Sequence, residues 1–206
     1  MRTILTTNEA TLIVNKSRFI ALTFHIQDVK EVDEILKMVR KDYPKAKHYC
    51  YAYVIGREEK GFDDGEPART AGRPLLDLLK KGDFDQTMVV VVRYFGGTLL
   101  GASRLLRTYV SVAHEVLIKA TKHEIAYLYA YQLCIDYSEY EYLQSEAKKR
   151  SYILEKPLFS DTIDIKLLAR EKADDILKEL LHGRGEITFL GQEKHYTEEI
   201  SNDRSI

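Results

Sequence analysis

The chain has 206 residues, a formal net charge of −1 and a hydrophobic fraction of 45%. That length holds one large domain or two small ones, and the apolar content argues against disorder. The near-zero charge excludes a globally basic nucleic-acid binder but leaves room for a local basic patch. Two cysteines, Cys50 and Cys134, lie far apart in strand-like contexts. They make no zinc spacing without histidine help and read as small apolar side chains of a reducing compartment. The first residues lack the pattern of a signal peptide, and no apolar run approaches the roughly 18 residues that span a bilayer. A cytoplasmic protein with no membrane partner is expected.

In chain order, residues 11–15 and 18–26 predict two strands about a polar turn at Asn15–Ser17. Residues 28–44 predict a helix: Val32, Ile35, Leu36 and Val39 recur at helical spacing, Asp28 is an N-cap candidate, and Pro44 lies beyond the end. HYCYAYVIG (48–56) predicts a strand, followed by a polar loop over 57–72. Pro74 suits a first helical position, so 73–82 predicts a short helix ending at Gly82. TMVVVVRYF (87–95) is continuously apolar and predicts a strand buried on both faces. A helix from about Gly101 to Lys119 follows. Its expected apolar stripe is Ala102, Leu106, Val110, Ala113 and Leu117, with Arg104, Arg107, Ser111 and His114 on a polar face.

Beyond residue 122 the pattern changes. Strand 124–137, helix 138–150, strands 151–159 and 161–170, helix 171–183 and strand 186–200 give a β-α-β-β-α-β order. The expected architecture is α+β in two domains, 1–122 and 123–206, with a frayed tail over 201–206.

Two loops carry the chemistry. DDGEPARTAGRP (63–74) offers Asp63, Asp64 and Glu66, then Arg69, Thr70 and Arg73, before a helix start. RYFGGTLLGASR (93–104) also feeds a helix. Unpaired N–H groups at a helix N-terminus attract anions, and glycines let an anion approach the backbone. Glycine turns before helices also serve backbone geometry alone. The spacing is neither a Walker loop nor a dinucleotide fingerprint. Asp64 and Glu66, with Asp63, could hold Mg²⁺ or could cap turns. His48 could carry a proton or simply hydrogen-bond, and no nucleophile stands in a recognisable local signature.

Together these segments resemble the IMPACT/YigZ family. Asp63 to Pro67, Thr70 to Pro74, Arg93 to Gly97 and Leu100–Gly101 match its landmarks in order. The resemblance covers most of residues 10–120. It implies an N-terminal domain with the fold of a small-subunit ribosomal protein and of GHMP kinases. More weakly, it implies a ferredoxin-like C-terminal domain similar to a late domain of elongation factor G. It also implies an association with translation. Eukaryotic members restrain a starvation-kinase pathway through an additional N-terminal domain. This chain begins with the glycine-loop domain, so that partner is not expected here. The chain departs from the family's usual glycines at Arg69, Ser103 and Arg104, which removes backbone freedom and adds cations.

The resulting expectation is a nucleic-acid or ribosome-binding protein in translation regulation, with no catalytic residues and no required cofactor. Phosphates would meet His48, Arg69, Thr70, Arg73, Arg93, Tyr94, Gly96, Gly97, Gly101, Ser103, Arg104 and Arg107. The alternative is a Mg²⁺-dependent small-molecule phosphotransferase or hydrolase on the same loops. A homodimer and a small phosphate ligand stay open. Tyr127, Tyr129 and Tyr131 alternate on one strand face, as base-stacking residues or as packing against helices.

Overall fold

The computed structural model describes residues 1–198. The expected tail and the last two residues of the expected final strand lie outside them. The described chain falls into two compact units, Met1–Glu124 and Ile125–Thr197, both of mixed α and β structure. Among the described residues no helix is long and apolar enough to cross a membrane.

The first unit begins with β1 (Arg2–Thr3), which pairs with the first two residues of β7 (His123–Ile135). Its main sheet contains β2 (Asn8–Val14), β3 (Ser17–His25), β4 (His48–Ile55), β5 (Glu58–Phe62) and β6 (Thr87–Tyr94). The spatial order is β2-β3-β6-β4-β5, and every neighbouring pair is antiparallel. β6 is central, which is why its apolar run has no polar alternation. Val89 and Val91 pack with α2 (Gly72–Lys81) and α3 (Ala102–Lys119) on one face. Met88, Val90 and Val92 pack with α1 (Lys30–Asp42) on the other.

The β2–β3 hairpin turns on Asn15 and Lys16, whose φ angles of 48° and 63° are those of a two-residue turn matched to strand twist. Asp28 accepts a 2.8 Å hydrogen bond from Lys30 N at the start of α1.

Two expectations change. The polar loop over 57–72 contains β5, an edge strand whose five residues are all exposed. An edge strand needs only backbone pairing with one neighbour, so it carries no apolar alternation. The core stripe of α3 is also rotated from the expected one. Leu105, Tyr109, Val112, Ala113, Val116 and Leu117 are buried, whereas Leu106 is exposed and Val110 only half-buried. Tyr109 decides the rotation, because its ring packs edge-on to Phe19 at 5.2 Å.

In the second unit the order is β7, α4 (Tyr137–Lys149), β8 (Ile153–Leu154), β9 (Leu158–Phe159), β10 (Ile163–Ala169), α5 (Asp174–Leu180) and β11 (Glu186–Glu198). β11 pairs with β7, β7 with β10, and β10 with both β8 and β9. The expected strand over 151–159 is therefore split. Pro157 has no N–H to give to a ladder, and the chain breaks there. Tyr131 is fully buried; its hydroxyl lies 3.0 Å from Asp174 Oδ2 and accepts from Ala173 N at 2.9 Å. The tyrosine row thus packs against its own unit, Tyr129 included, with only Tyr127 exposed.

Close backbone approach fixes where β5 meets α2. A methyl group at Gly72 would overlap the Phe62 backbone nitrogen, whereas one at Gly56 would meet nothing within 4 Å. Gly72→Ala is expected to cost about 3 kcal/mol of unfolding free energy by overpacking. Gly56→Ala is expected to cost about 1 kcal/mol, through its left-handed backbone alone. Urea unfolding of the two variants measures the difference.

Candidate functional site

The loop between β5 and α2 is tied down by its own acids. Asp63 Oδ1 accepts hydrogen bonds from Ala71 N at 3.0 Å and Gly72 N at 2.8 Å. Its Oδ2 accepts from Arg69 N at 2.9 Å. A carboxylate on these donors satisfies the first orphan N–H groups of α2 and complements its dipole. Asp64 Oδ2 accepts from Tyr49 N at 2.7 Å, and its Oδ1 lies 3.5 Å from Arg40 Nη2. The Arg40 guanidinium in turn lies 4.2 Å from the centroid of the Tyr49 ring. Thr70 donates to Pro67 O at 2.6 Å and closes the turn.

Glu66 points inward and joins three elements. Its Oε1 accepts from Arg93 Nη1 at 2.6 Å and from the Tyr109 hydroxyl at 2.7 Å. Its Oε2 lies 3.9 Å from His48 Nε2. Only 3% of the Glu66 side chain and 5% of the Arg93 side chain is exposed, so this is an ion pair out of water. His48 sits opposite Arg93 in the β4–β6 ladder and hydrogen-bonds Asp64 O through Nδ1 at 2.8 Å. Cys50 Sγ lies 2.9 Å from Asp63 O and 3.3 Å from the Tyr109 hydroxyl, and its single proton serves one of them. Burial, followed by the charges of Glu66, Asp64 and Asp63, pushes the Cys50 thiol far up. Burial, followed by Cys50 and Glu66, does the same to the Tyr109 hydroxyl. Both stay protonated near neutrality, which is the state in which Tyr109 donates to Glu66. Neither Tyr109 nor Cys50 stands among the candidates from sequence. The available signal is a tyrosine lying at core spacing on α3.

The second loop divides between geometry and exposure. Gly96 is structural: a methyl there would overlap the Lys16 carbonyl carbon, and Gly96 N donates to Ser17 Oγ at 3.1 Å. Gly97 and Gly101 have φ of 86° and 77° and face open space. Among the described residues no side chain caps the start of α3, and its first turn contains no acidic residue. Ser103, Arg104 and Arg107 are exposed there, with Arg107 Nη2 on Ser103 Oγ at 2.9 Å. Arg69 is exposed, while Arg73 pairs with Asp77 at 2.8 Å on the surface of α2. Tyr94 is half-buried and donates to Pro44 O at 3.2 Å.

The structure therefore gathers His48, Glu66 and Arg93 into one internal network and leaves Arg69, Arg104 and Arg107 outside it. Arg93 is not positioned as a surface phosphate ligand, because Glu66 holds it and water does not reach it. Asp64 and Glu66, the metal candidates, have the protein partners given above. Among the described residues no three His, Cys, Asp or Glu side chains are grouped to hold a metal ion.

Glu66→Gln leaves the Arg93 charge without its counter-ion and is expected to cost about 3–5 kcal/mol in chemical unfolding. Arg69 holds a left-handed φ of 62°, the conformation that favours glycine. Arg69→Gly is expected to raise stability by about 0.5–1 kcal/mol, the relief of that backbone cost less the added freedom of the unfolded chain. The same unfolding measurement reads it.

Comparison with known proteins follows the same segments. The Impact N-terminal domain family matches residues 15–117. The IMPACT family member YvyE of Bacillus subtilis is 31% identical over 203 residues, 93% of this chain and 94% of that protein. The IMPACT family member YigZ of Escherichia coli is 37% identical over 131 residues, 61% of this chain and 64% of that protein. A crystal structure of a hypothetical protein, 25% identical, covers 93% of this chain and 98% of its own, with a TM-score of 0.61. Matches that take in both glycine loops, and in YvyE nearly the whole chain, leave one conclusion: this chain belongs to the IMPACT family.

Proposed function

We propose that this protein binds RNA, free or on the ribosome, through the basic face of its first unit, and acts in the regulation of translation. The observation that carries the reading is a run without carboxylates. From Gln86 to His114 the sequence contains no Asp or Glu, yet it spans β6, the glycine loop and most of α3. The run delivers Arg104 and Arg107 to the surface beside an uncapped helix start. An extended phosphate backbone suits such a surface, because the run itself supplies no competing acid, and Asp77, which lines a groove with Leu106 and Val110 of α3, is paired with Arg73. Family membership supports the translational setting. The element order and strand pairing of the second unit support a ferredoxin-like reading, with the domain boundary near residue 122. Two unpaired cysteines agree with a reducing, cytoplasmic setting.

The Mg²⁺-dependent phosphotransferase fits these residues poorly. Its acids are engaged: Asp63 on three backbone N–H groups, Glu66 on Arg93 and Tyr109.

The test is fluorescence anisotropy with labelled single-stranded RNA across a salt series, using wild type and Arg104→Ala/Arg107→Ala. Wild type is expected to bind with affinity that falls with salt. The double variant is expected to lower the slope of log affinity against log salt by about 1.4, the value for two phosphate contacts on a single strand. Absence of binding by folded wild type at low salt overturns the reading.

A further inference from the structure

The sheet of the first unit has a second cationic feature, at the end where the β2–β3 turn, the entry to β4 and the exit of β6 come together. Register places Arg18 opposite Tyr94 and His48 opposite Arg93, and Lys47 N donates to Arg93 O at 3.0 Å. The Gly96 backbone lies against Lys16. Three short stretches, 14–18, 44–49 and 93–97, therefore share one edge, and none of them contains an Asp or Glu. Lys16, Arg18, Lys45 and Lys47 are exposed, and none has an ion pair among the described residues. The nearby acids are committed elsewhere or set apart. Glu9 accepts from the Tyr43 hydroxyl, Asp64 faces Arg40, Glu66 is internal, and Asp42 lies at the end of α1.

Aromatic rings lie among these cations. Phe95 is 39% exposed, although an apolar ring gains by burial. Lys47 Nζ lies 5.2 Å and Arg93 Cζ 5.5 Å from its centroid. Arg18 Cζ lies 4.5 Å from the Tyr94 centroid. Arg93 Nε is buried without a hydrogen-bond partner among the described residues. An exposed ring beside the unpaired Lys47 ammonium, with further unpaired cations on the same sheet end, is an arrangement that stacks a base while its phosphates are neutralised. A duplex hides its base faces and uses only the cations. A polyanion without rings, such as poly-glutamate, likewise has nothing to stack on the open face of Phe95.

We propose that this sheet end binds single-stranded RNA, with one base on Phe95 and adjoining phosphates on Lys47, Lys45, Lys16 and Arg18. The inference rests on the RNA-binding reading above and adds to it a surface and a strandedness. The chain has no tryptophan, so Phe95→Trp introduces a single indole at the stacking position, which can be excited selectively over the 14 tyrosines.

The probes are a labelled 12-nucleotide oligouridylate and an RNA duplex of the same length, with poly-glutamate as competitor. Phe95→Ala is expected to weaken oligouridylate binding about tenfold with an unchanged salt slope. Lys45→Ala/Lys47→Ala is expected to lower that slope by about 1.4. The indole fluorescence of Phe95→Trp is expected to be quenched by unlabelled oligouridylate and not by the duplex. If wild type binds oligouridylate but Phe95→Ala matches it and the indole of Phe95→Trp is not quenched, the inference is overturned while RNA binding stands. Tighter binding of the duplex, or equal displacement of wild type and Phe95→Ala by poly-glutamate, overturns it in favour of another polyanion. Absence of any RNA binding overturns both readings.

Discussion

The first unit is organised around the buried contact between Glu66 and Arg93. A carboxylate and a guanidinium taken out of water are costly apart, and their attraction offsets that cost best with close geometry and further hydrogen bonds. Here Tyr109 supplies a further donor to Glu66. The pair links a loop, the central strand and a helix that are separated in sequence. A loop placed differently leaves the buried Arg93 guanidinium, which lies 5.1 Å from the Phe19 ring centroid, without its counter-ion, so the polar contact favours this arrangement of the elements.

This contact also sorts charge. The chain is almost neutral, but its acids and bases are not spread alike. Around the glycine loops Asp63 and Asp64 accept from backbone N–H groups, Asp64 also faces Arg40 at the surface, and Glu66 turns inward to Arg93. Exposed lysines and arginines remain outside. A surface can be locally basic on a protein whose net charge is −1, because Glu66 is offset by Arg93 and Asp64 by Arg40 while several lysines and arginines nearby have no acidic partner among the described residues.

Local periodicity makes much of the fold readable. The unbroken apolar run of β6 indicates a strand covered on both sides, and Gly82 marks the end of α2, whereas the helix starts at Gly72, two residues before the Pro74 that the sequence offers as its first position. Periodicity fails where the deciding contact is distant or made by backbone. It misplaces the α3 stripe because Tyr109 belongs to the core through Phe19 and Glu66, both far away in sequence. It misses β5 because an edge strand with two glutamates and a lysine has no side-chain pattern to read. At the site, sequence shows which residues are chemically able to meet phosphate. It does not show that Arg93 is spoken for, since that depends on where Glu66 points. Gly96 likewise looks like an anion-binding glycine, whereas its neighbour is the Lys16 backbone.

Because Asp63 and Glu66 turn inward, the stretch that makes the family recognisable is a joint of the framework, held by packing and by internal bonds. A chain that shares it inherits the joint, whatever it binds. The exposed side chains around the joint, those of Arg69, Ser103 and Arg104 among them, take no part in its bonds. A substitution inside the joint is thus a change of framework, whereas one at the side chains of Arg69, Ser103 or Arg104 changes the charge and shape of the surface alone.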